Sequence, residues 1–439
     1  MLNKEQAHAL IESAINNTKY YAVAVISETN QGTTRFANSE ISQNVVIKDG
    51  SMTLALYNGQ RQASCTTNAL TESGVIQLVK DAESILEFVP EGEFGAFPFS
   101  AEPVPECISN GFLANAFDTN KRALYIKEGV AHLEEGYTAS GALTLTGTVV
   151  AVGESGGGFR YASYDNVSFN TVVSHTSGAD GGAECISYTA VPDIVGCFKK
   201  AQITAKAAIN PTEPPLGAVT VVLSPTAFAD LITFSTMPLS GKAVEDGFSY
   251  ATGKLGKKLF GKKLTISDNV THPGLCPLPF DVEGNPRRVL PLIKEGVVSS
   301  YVYDNKNAAK HGVQSTGHAA ISRFFAGAIP MNIVVDGGAL LMSDIIKGVE
   351  NGIYINEFHY TNTVNPRALQ ITGLTRNGAF LIENGQLTKP ISTVRFTESL
   401  LEAFNNITAI SKEREIVSGF GAMLVPGVRI DNFHFTSKA

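Results

Sequence analysis

VTVVLSPTAFADLITFSTMP, residues 219–238, decides the reading of this chain, because a strand, a sharp turn and a helix follow one another within it. Val219, Val221 and Leu223 alternate with smaller neighbours in a β-rich run that Ser224-Pro225 breaks. Phe228, Leu231, Ile232 and Ser235 then recur at helical spacing. A strand feeding a helix is a common mount for catalytic groups, yet this helix carries one charged residue, Asp230, and no His, Cys or Glu. It offers few groups able to ligate a metal or move a proton.

Downstream the chain is β-rich, with strands expected at 264–267, 288–293, 296–303, 331–335, 353–360, 368–375 and 378–383, and helices at 343–350 and 399–407. Upstream, NPTEPPLG at 210–217 is a proline-rich break that follows a helix over 194–208. Before it come strands at 138–152 and 159–174, joined by GESGGGFR, and a helix over 119–135. PEGEFGAFPFSAEPVP at 90–105 reads as an extended connector, preceded by a helix over 68–89 that Pro90 stops. Between 21 and 67 the pattern is an antiparallel meander with turns expected at Asn38-Ser39 and Asp49-Gly50. Ala7, Leu10, Ile11, Ala14 and Ile15 mark an opening amphipathic helix. Elements in blocks instead of strict alternation imply an α+β fold with a mixed α/β N-terminal half and a β-rich, largely antiparallel C-terminal half. The domains expected are 1–209, with a sub-boundary near 90–105, and 218–439.

With 439 residues, 44% hydrophobic and 17% charged, the chain can bury more than one core. A net charge of −7 and a pI of about 5.7 supply no positive field for nucleic acid. The N-terminus lacks the basic start and apolar core of a signal peptide, and no run approaches the ~18 apolar residues of a membrane span. A cytoplasmic location is expected, and the five dispersed cysteines read as buried free thiols.

Local chemistry is sparse. His132 with Glu134 and Glu135 lacks the second His of a zinc helix, so a solvated helix end is expected there. GESGGGFR lacks the Lys-Ser/Thr of a P-loop and reads as a hairpin loop. The five lysines of GKLGKKLFGKKL, between 254 and 263, read as a solvated turn, with an interface role left open. GESGG at 153–157 has the spacing G-x-S-x-G, but no helix signal follows it, so it is not read as a nucleophile elbow.

Five phrases in order resemble the TldD/PmbA family, named both for modulation of DNA gyrase and for zinc peptidases of the TldD/TldE type. They are TRFANSEISQNV (34–45), KLTISDN (263–269), EGVVSSYVYDNKNAAKHGVQSTGHA (295–319), NGIYINEF (351–358) and GAFLIENGQLTKPI (378–391). The resemblance implies, for the active subunit, an H-E-x-x-x-H motif on the helix after the strand, with two His on zinc, the Glu activating water and a Cys near the C-terminus. Laid without gaps on this sequence, those places fall on Thr233, Phe234 and Pro238, and SGFGAMLVPGVRIDNF (418–433) has no Cys. The chain therefore resembles the TldE/PmbA branch, which lacks the metal.

For that branch the resemblance implies a heterodimer with a TldD-like zinc peptidase subunit, the two enclosing a cavity for proteolysis of unfolded peptides. No cofactor is expected in this chain, and zinc is expected in the partner. His311, Ser315, Thr316, Gly317 and His318 form the candidate peptide-facing loop, a polar, glycine-containing lid. Open alternatives are a stand-alone homodimeric peptide-binding or regulatory protein of the gyrase-modulator type, and an independent hydrolase with another site.

Overall fold

The computed structural model describes residues 1–113, 117–320, 327–419 and 421–438. α1 (Lys4–Asn16) begins at a capping box: Asn3 Oδ1 accepts the Gln6 N–H at 2.8 Å, and Gln6 Oε1 accepts the Asn3 N–H at 3.0 Å. β1 (Tyr21–Ala37) and β2 (Glu40–Asn58) form a long hairpin, followed by β3 (Arg61–Thr67) and α2 (Glu72–Leu86). Asn38 and Ser39 both take positive φ, 49° and 66°, as a tight hairpin turn requires. The turn expected at Asp49-Gly50 is absent: these residues pair with Thr29 and Glu28 in mid-ladder. Gly50 is there for space, since a Cβ would lie 2.8 Å from Leu70 Cδ1.

α3 (Thr119–Val130), β4 (Tyr137–Glu154), β5 (Phe159–His175), β6 (Asp180–Ser187) and α4 (Ile194–Ala207) complete the first half. The strands form one antiparallel sheet in the order β3-β2-β1-β4-β5-β6. Alternation sends Ala22, Ala24 and Ile26 to the helical side, against Ile11 and Leu78, while Phe36 and Phe169 meet Phe198 of α4. Val25, Val150 and Val152 point the other way and are buried with Cys276, Leu278 and Phe280 of the second half.

The second half runs β7 (Gly217–Leu223), α5 (Pro225–Thr236), α6 (Gly241–Glu245), β8 (Ile266–Asp268), β9 (Leu290–Lys294), β10 (Val297–Val298), α7 (Asn305–His311), β11 (Ile333–Val335) and α8 (Met342–Lys347). It continues with β12 (Asn351–Asn365), β13 (Gln370–Glu383), β14 (Gln386–Pro390), β15 (Val394–Ser399), α9 (Leu400–Asn405), β16 (Ile407–Ser418) and β17 (Ala422–Lys438). These strands make an eleven-stranded sheet, parallel at β7/β12 and β11/β17 and antiparallel at the other described pairings. The fold is α+β, with one antiparallel and one mixed sheet.

β7, β12, β13, β15 and β17 close on themselves, because β17 pairs with both β15 and β7. Inside the ring Phe396 lies 4.6 Å from Phe358 and 5.4 Å from Phe433, centroid to centroid. Gly373 makes room for it, since a Cβ there would lie 2.7 Å from the Phe396 ring. The two strands expected at 368–375 and 378–383 are one strand, β13, bulged where Asn377 (φ 52°) and Gly378 (φ 112°) turn the chain. The strand expected at 296–303 shrinks to Val297–Val298; Tyr301 is buried coil, and Val302 makes only an isolated bridge to Ser240. Phe420, within the C-terminal segment quoted above, lies outside the described residues.

Candidate functional site

The helix after β7 is tied to the sheet at its N-cap. Ser224 Oγ accepts the Ala227 N–H at 3.1 Å and donates to Asn356 O of β12 at 2.5 Å. Pro225 follows at the first helical position, where a missing N–H costs nothing. Phe228, Leu231 and Ile232 are fully buried, and Phe228 meets Phe404 edge-on at 5.7 Å. At the far end Pro238, with no N–H to give, lies in a short 3-10 turn (Met237–Leu239) where α5 stops.

Thr233, Phe234 and Pro238 line one open hollow of about 710 Å³, with Met237, Phe248 and Ile329. Its wall is mainly apolar, and a Lys242–Asp246 pair at 2.5 Å belongs to its lining. Thr233 donates its hydroxyl to its own helix at Ala229 O, 3.0 Å away, and touches Met423 Sδ at 3.7 Å. The C-terminal strand thus reaches the helix, but brings a thioether. Zinc is held by imidazole, thiolate or carboxylate, and Thr, Phe, Pro and Met supply none of these. The three positions do not fit the metal. The chain contains no His-Glu dipeptide, and among the described residues no three His, Cys, Asp or Glu side chains are grouped to hold an ion.

The five loop residues expected to form a lid are not arranged as one. His311 ends α7, exposed, with its ring 5.4 Å from Tyr303. Ser315 Oγ donates to Tyr303 O at 3.1 Å, and Thr316 Oγ1 accepts the Tyr303 N–H at 2.8 Å. Gly317 has φ 73° and rests against the Pro286 carbonyl, where a Cβ would collide. His318 is buried at 1% exposure, which a solvent-facing lid would not allow. The stretch straps the interior because its hydroxyls satisfy the backbone of the neighbouring coil.

His318 instead joins a charged cluster that sequence spacing did not reveal. Its Nε2 lies 3.3 Å from Asp268 Oδ2, while Arg287 donates to Asp268 Oδ1 at 3.0 Å. Met331 and Asn332 N–H groups donate to Asp268 Oδ2 at 2.6 and 3.2 Å. Burial alone would raise the Asp268 carboxyl, but Arg287 and His318 outweigh it and hold it well below the usual range. Nearby, burial pushes Asp281 up to about 6 despite three backbone N–H donors. Burial and the Asp281 charge push Glu283 up to about 8.

The other sequence candidates are surface or turn features. Glu134 pairs with Lys206 at 2.8 Å, and all five lysines between 254 and 263 are exposed. GESGGGFR turns the β4–β5 hairpin, with Glu154 accepting the Gly156 and Gly158 N–H groups. The five thiols are free; Cys197 and Cys276 are buried, and Cys65, Cys107 and Cys185 only half-buried. Among the described residues no helix is long and apolar enough to cross a membrane.

Residues 216–437, which hold the closed ring and α5, match the model of the PmbA/TldA metallopeptidase C-terminal domain. The chain belongs to the PmbA/TldD family. The chain spans about half the length, or less, of the first curated relatives it matches. It covers 48% of an uncharacterized protein of Methanocaldococcus jannaschii, at 29% identity over 47% of this chain. It covers 41% of the metalloprotease PmbA of Escherichia coli O157:H7, at 28% identity over 44% of this chain. A likeness of 23% identity runs through 89% of this chain and 88% of a PmbA metalloprotease homologue of Haemophilus influenzae. The PmbA/TldD fold recurs in TldE from Thermococcus kodakarensis, with TM-score 0.88 and 19% identity over 98% of this chain and 100% of that one. It recurs in a Thermotoga maritima protein described as a candidate modulator of a DNA gyrase, with TM-score 0.84 and 18% identity over 99% and 100%.

Proposed function

We propose that this chain is the non-catalytic, TldE-like subunit of a two-chain zinc peptidase. It pairs with a TldD-like subunit that carries the metal, and the two close a cavity in which unfolded peptides are cut. The observation that carries this reading is α5 with the 3-10 turn that ends it: at the places where the resemblance puts the ligands they present Thr233, Phe234 and Pro238 to an open hollow of about 710 Å³. Apolar walls with a few polar groups suit side chains of an unfolded peptide. Phe248, 63% exposed at this hollow, is an unusual expense of apolar surface unless something covers it. Strand addition has less scope than an open sheet would give, because the ring has no free edge along β7, β12 and β15. The five free thiols favour a reducing, cytoplasmic setting. Separate cores in the two halves favour domains at 1–209 and 218–439.

Co-purification from the native host, followed by mass spectrometry, metal analysis and a peptide-cleavage assay, tests the proposal. The expected result is a companion bearing H-E-x-x-x-H, zinc only in the pair, and cleavage only by the pair. Stoichiometric zinc in this chain alone, retained against a chelator, would overturn it, as would a homodimer with no such companion.

A further inference from the structure

Two of the five free thiols stand together on the α4 side of the first sheet. Alternation along β6 sends Gly182 and Glu184 toward the second half, where Glu184 accepts the Ser418 N–H at 3.1 Å. It sends Gly181, Ala183 and Cys185 toward α4. Gly181 sets how near the helix comes, for a Cβ there would collide with Ala201 O and Ala205 N. From Gly181 to Cys185 the strand advances ~13 Å. From Ala205 back to Cys197 the helix returns ~12 Å, so the two cysteines face each other across the same contact.

The two thiols hydrogen-bond each other, and that bond is the largest influence on both. It lowers Cys197, whose sulfur accepts, and raises Cys185, which keeps the shared proton and is pushed further up by burial. Cys197 lies in the first turn of α4, its own N–H donating to Asp193 O at 3.2 Å. There the amide dipoles of the helix start and the charge of Lys200 favour a thiolate, while burial, Asp193 and Glu184 oppose it. Cys197 is buried, but Cys185 is only half-buried and leaves one edge of the pair open to solvent. Cys65, Cys107 and Cys276 have no bonded thiol among the described residues, and burial raises each of them.

We propose that Cys185 and Cys197 are a peroxide-sensitive dithiol that closes to a disulfide between β6 and α4. The Cys197 thiolate attacks a hydroperoxide: an S–O bond forms, the O–O bond breaks, and the departing oxygen takes back the proton that Cys197 had released. The Cys185 thiol then attacks the resulting sulfenic acid: an S–S bond forms, the S–O bond breaks, and hydroxide leaves as water with the Cys185 proton. Two thiols and one hydroperoxide thus give one disulfide, one water and one alcohol, or a second water from hydrogen peroxide; the sulfurs lose two electrons and the peroxide gains them. The link fastens β6 to α4, both of which reach β16, Glu184 through the Ser418 N–H and Lys200 through Glu415 at 3.0 Å. A reducing setting keeps the pair open until a peroxide arrives. This chemistry belongs to the chain alone, so failure to find a zinc-bearing companion leaves it intact.

The test is to treat the full, folded chain with hydrogen peroxide at pH 7, quench it in acid, label the remaining thiols under denaturing conditions with N-ethylmaleimide and map the peptides by mass spectrometry. Labelled thiols should fall from five to three, with one linked pair of peptides joining Cys185 to Cys197, and dithiothreitol should restore all five. The pair should be consumed at least about tenfold faster than Cys65, which is also half-buried but has no thiol partner. Cys185→Ser should stop the reaction at a sulfenic acid on Cys197, trapped by the cyclic diketone dimedone; the mapping of the unmutated chain decides the matter if that variant does not fold. Five labelled thiols after a dose that oxidises free N-acetylcysteine, a link between other cysteines or between chains, or Cys65 reacting as fast as the pair would each overturn the proposal.

Discussion

Asp281 and Glu283 stand two residues apart and both hold their protons longer than free carboxyls do, at about 6 and about 8. Unfolded, such groups titrate near 4, so between pH ~4 and ~8 the unfolded chain binds fewer protons and stability falls as pH rises. Glu283→Gln should remove most of this slope, so that urea midpoints at pH 5 and pH 8 converge; an unchanged slope would discount the buried carboxyl. Asp268 behaves oppositely: depressed by Arg287 and His318, its contribution is present above pH ~4 and lost only as pH falls through its own lower value. Asp268→Asn strands a guanidinium that is 1% exposed and should cost about 3–5 kcal/mol, read by urea denaturation at pH 7. Little of this cluster is legible in the sequence. Asp268, Arg287 and His318 come from three separate segments, and only His318 stands out, for polar neighbours that turn out to brace backbone.

The strand and helix of residues 219–238 are the most legible element, because the apolar period changes from two to helical at Ser224-Pro225. Ser224→Ala should cost about 1 kcal/mol for the lost cap, plus the bond to Asn356 O, and chemical denaturation should register it. A loss of under ~0.3 kcal/mol would mean that water replaces both bonds. That Thr233, Phe234 and Pro238 offer no zinc-ligating group is equally legible, since they lie within six consecutive residues. Elsewhere glycine misleads. Gly50 sits in mid-strand to admit Leu70, and Asn377-Gly378 is a bulge where a strand break is expected. Strands β14 to β17 are missed altogether; within β17 Pro426 pairs with Arg414 and Gly427 clears Met342.

At the scale of the whole molecule the closed ring sets both stability and shape. Phe396→Ala empties the ring interior and should cost about 3–5 kcal/mol in unfolding free energy, whereas an exposed Phe248→Ala should cost far less. Equal losses for the two would argue that the aromatic stack is not what holds the ring. Closure joins Val428 to Leu223, strands separated by ~200 residues of chain, so β7 must wait for β17. On the ribosome, at roughly 5–20 residues per second, that wait is ten seconds or more. Through that interval β7 and β12 keep apolar faces and backbone donors uncovered, which makes the nascent chain a client for holding chaperones and sensitive to premature termination.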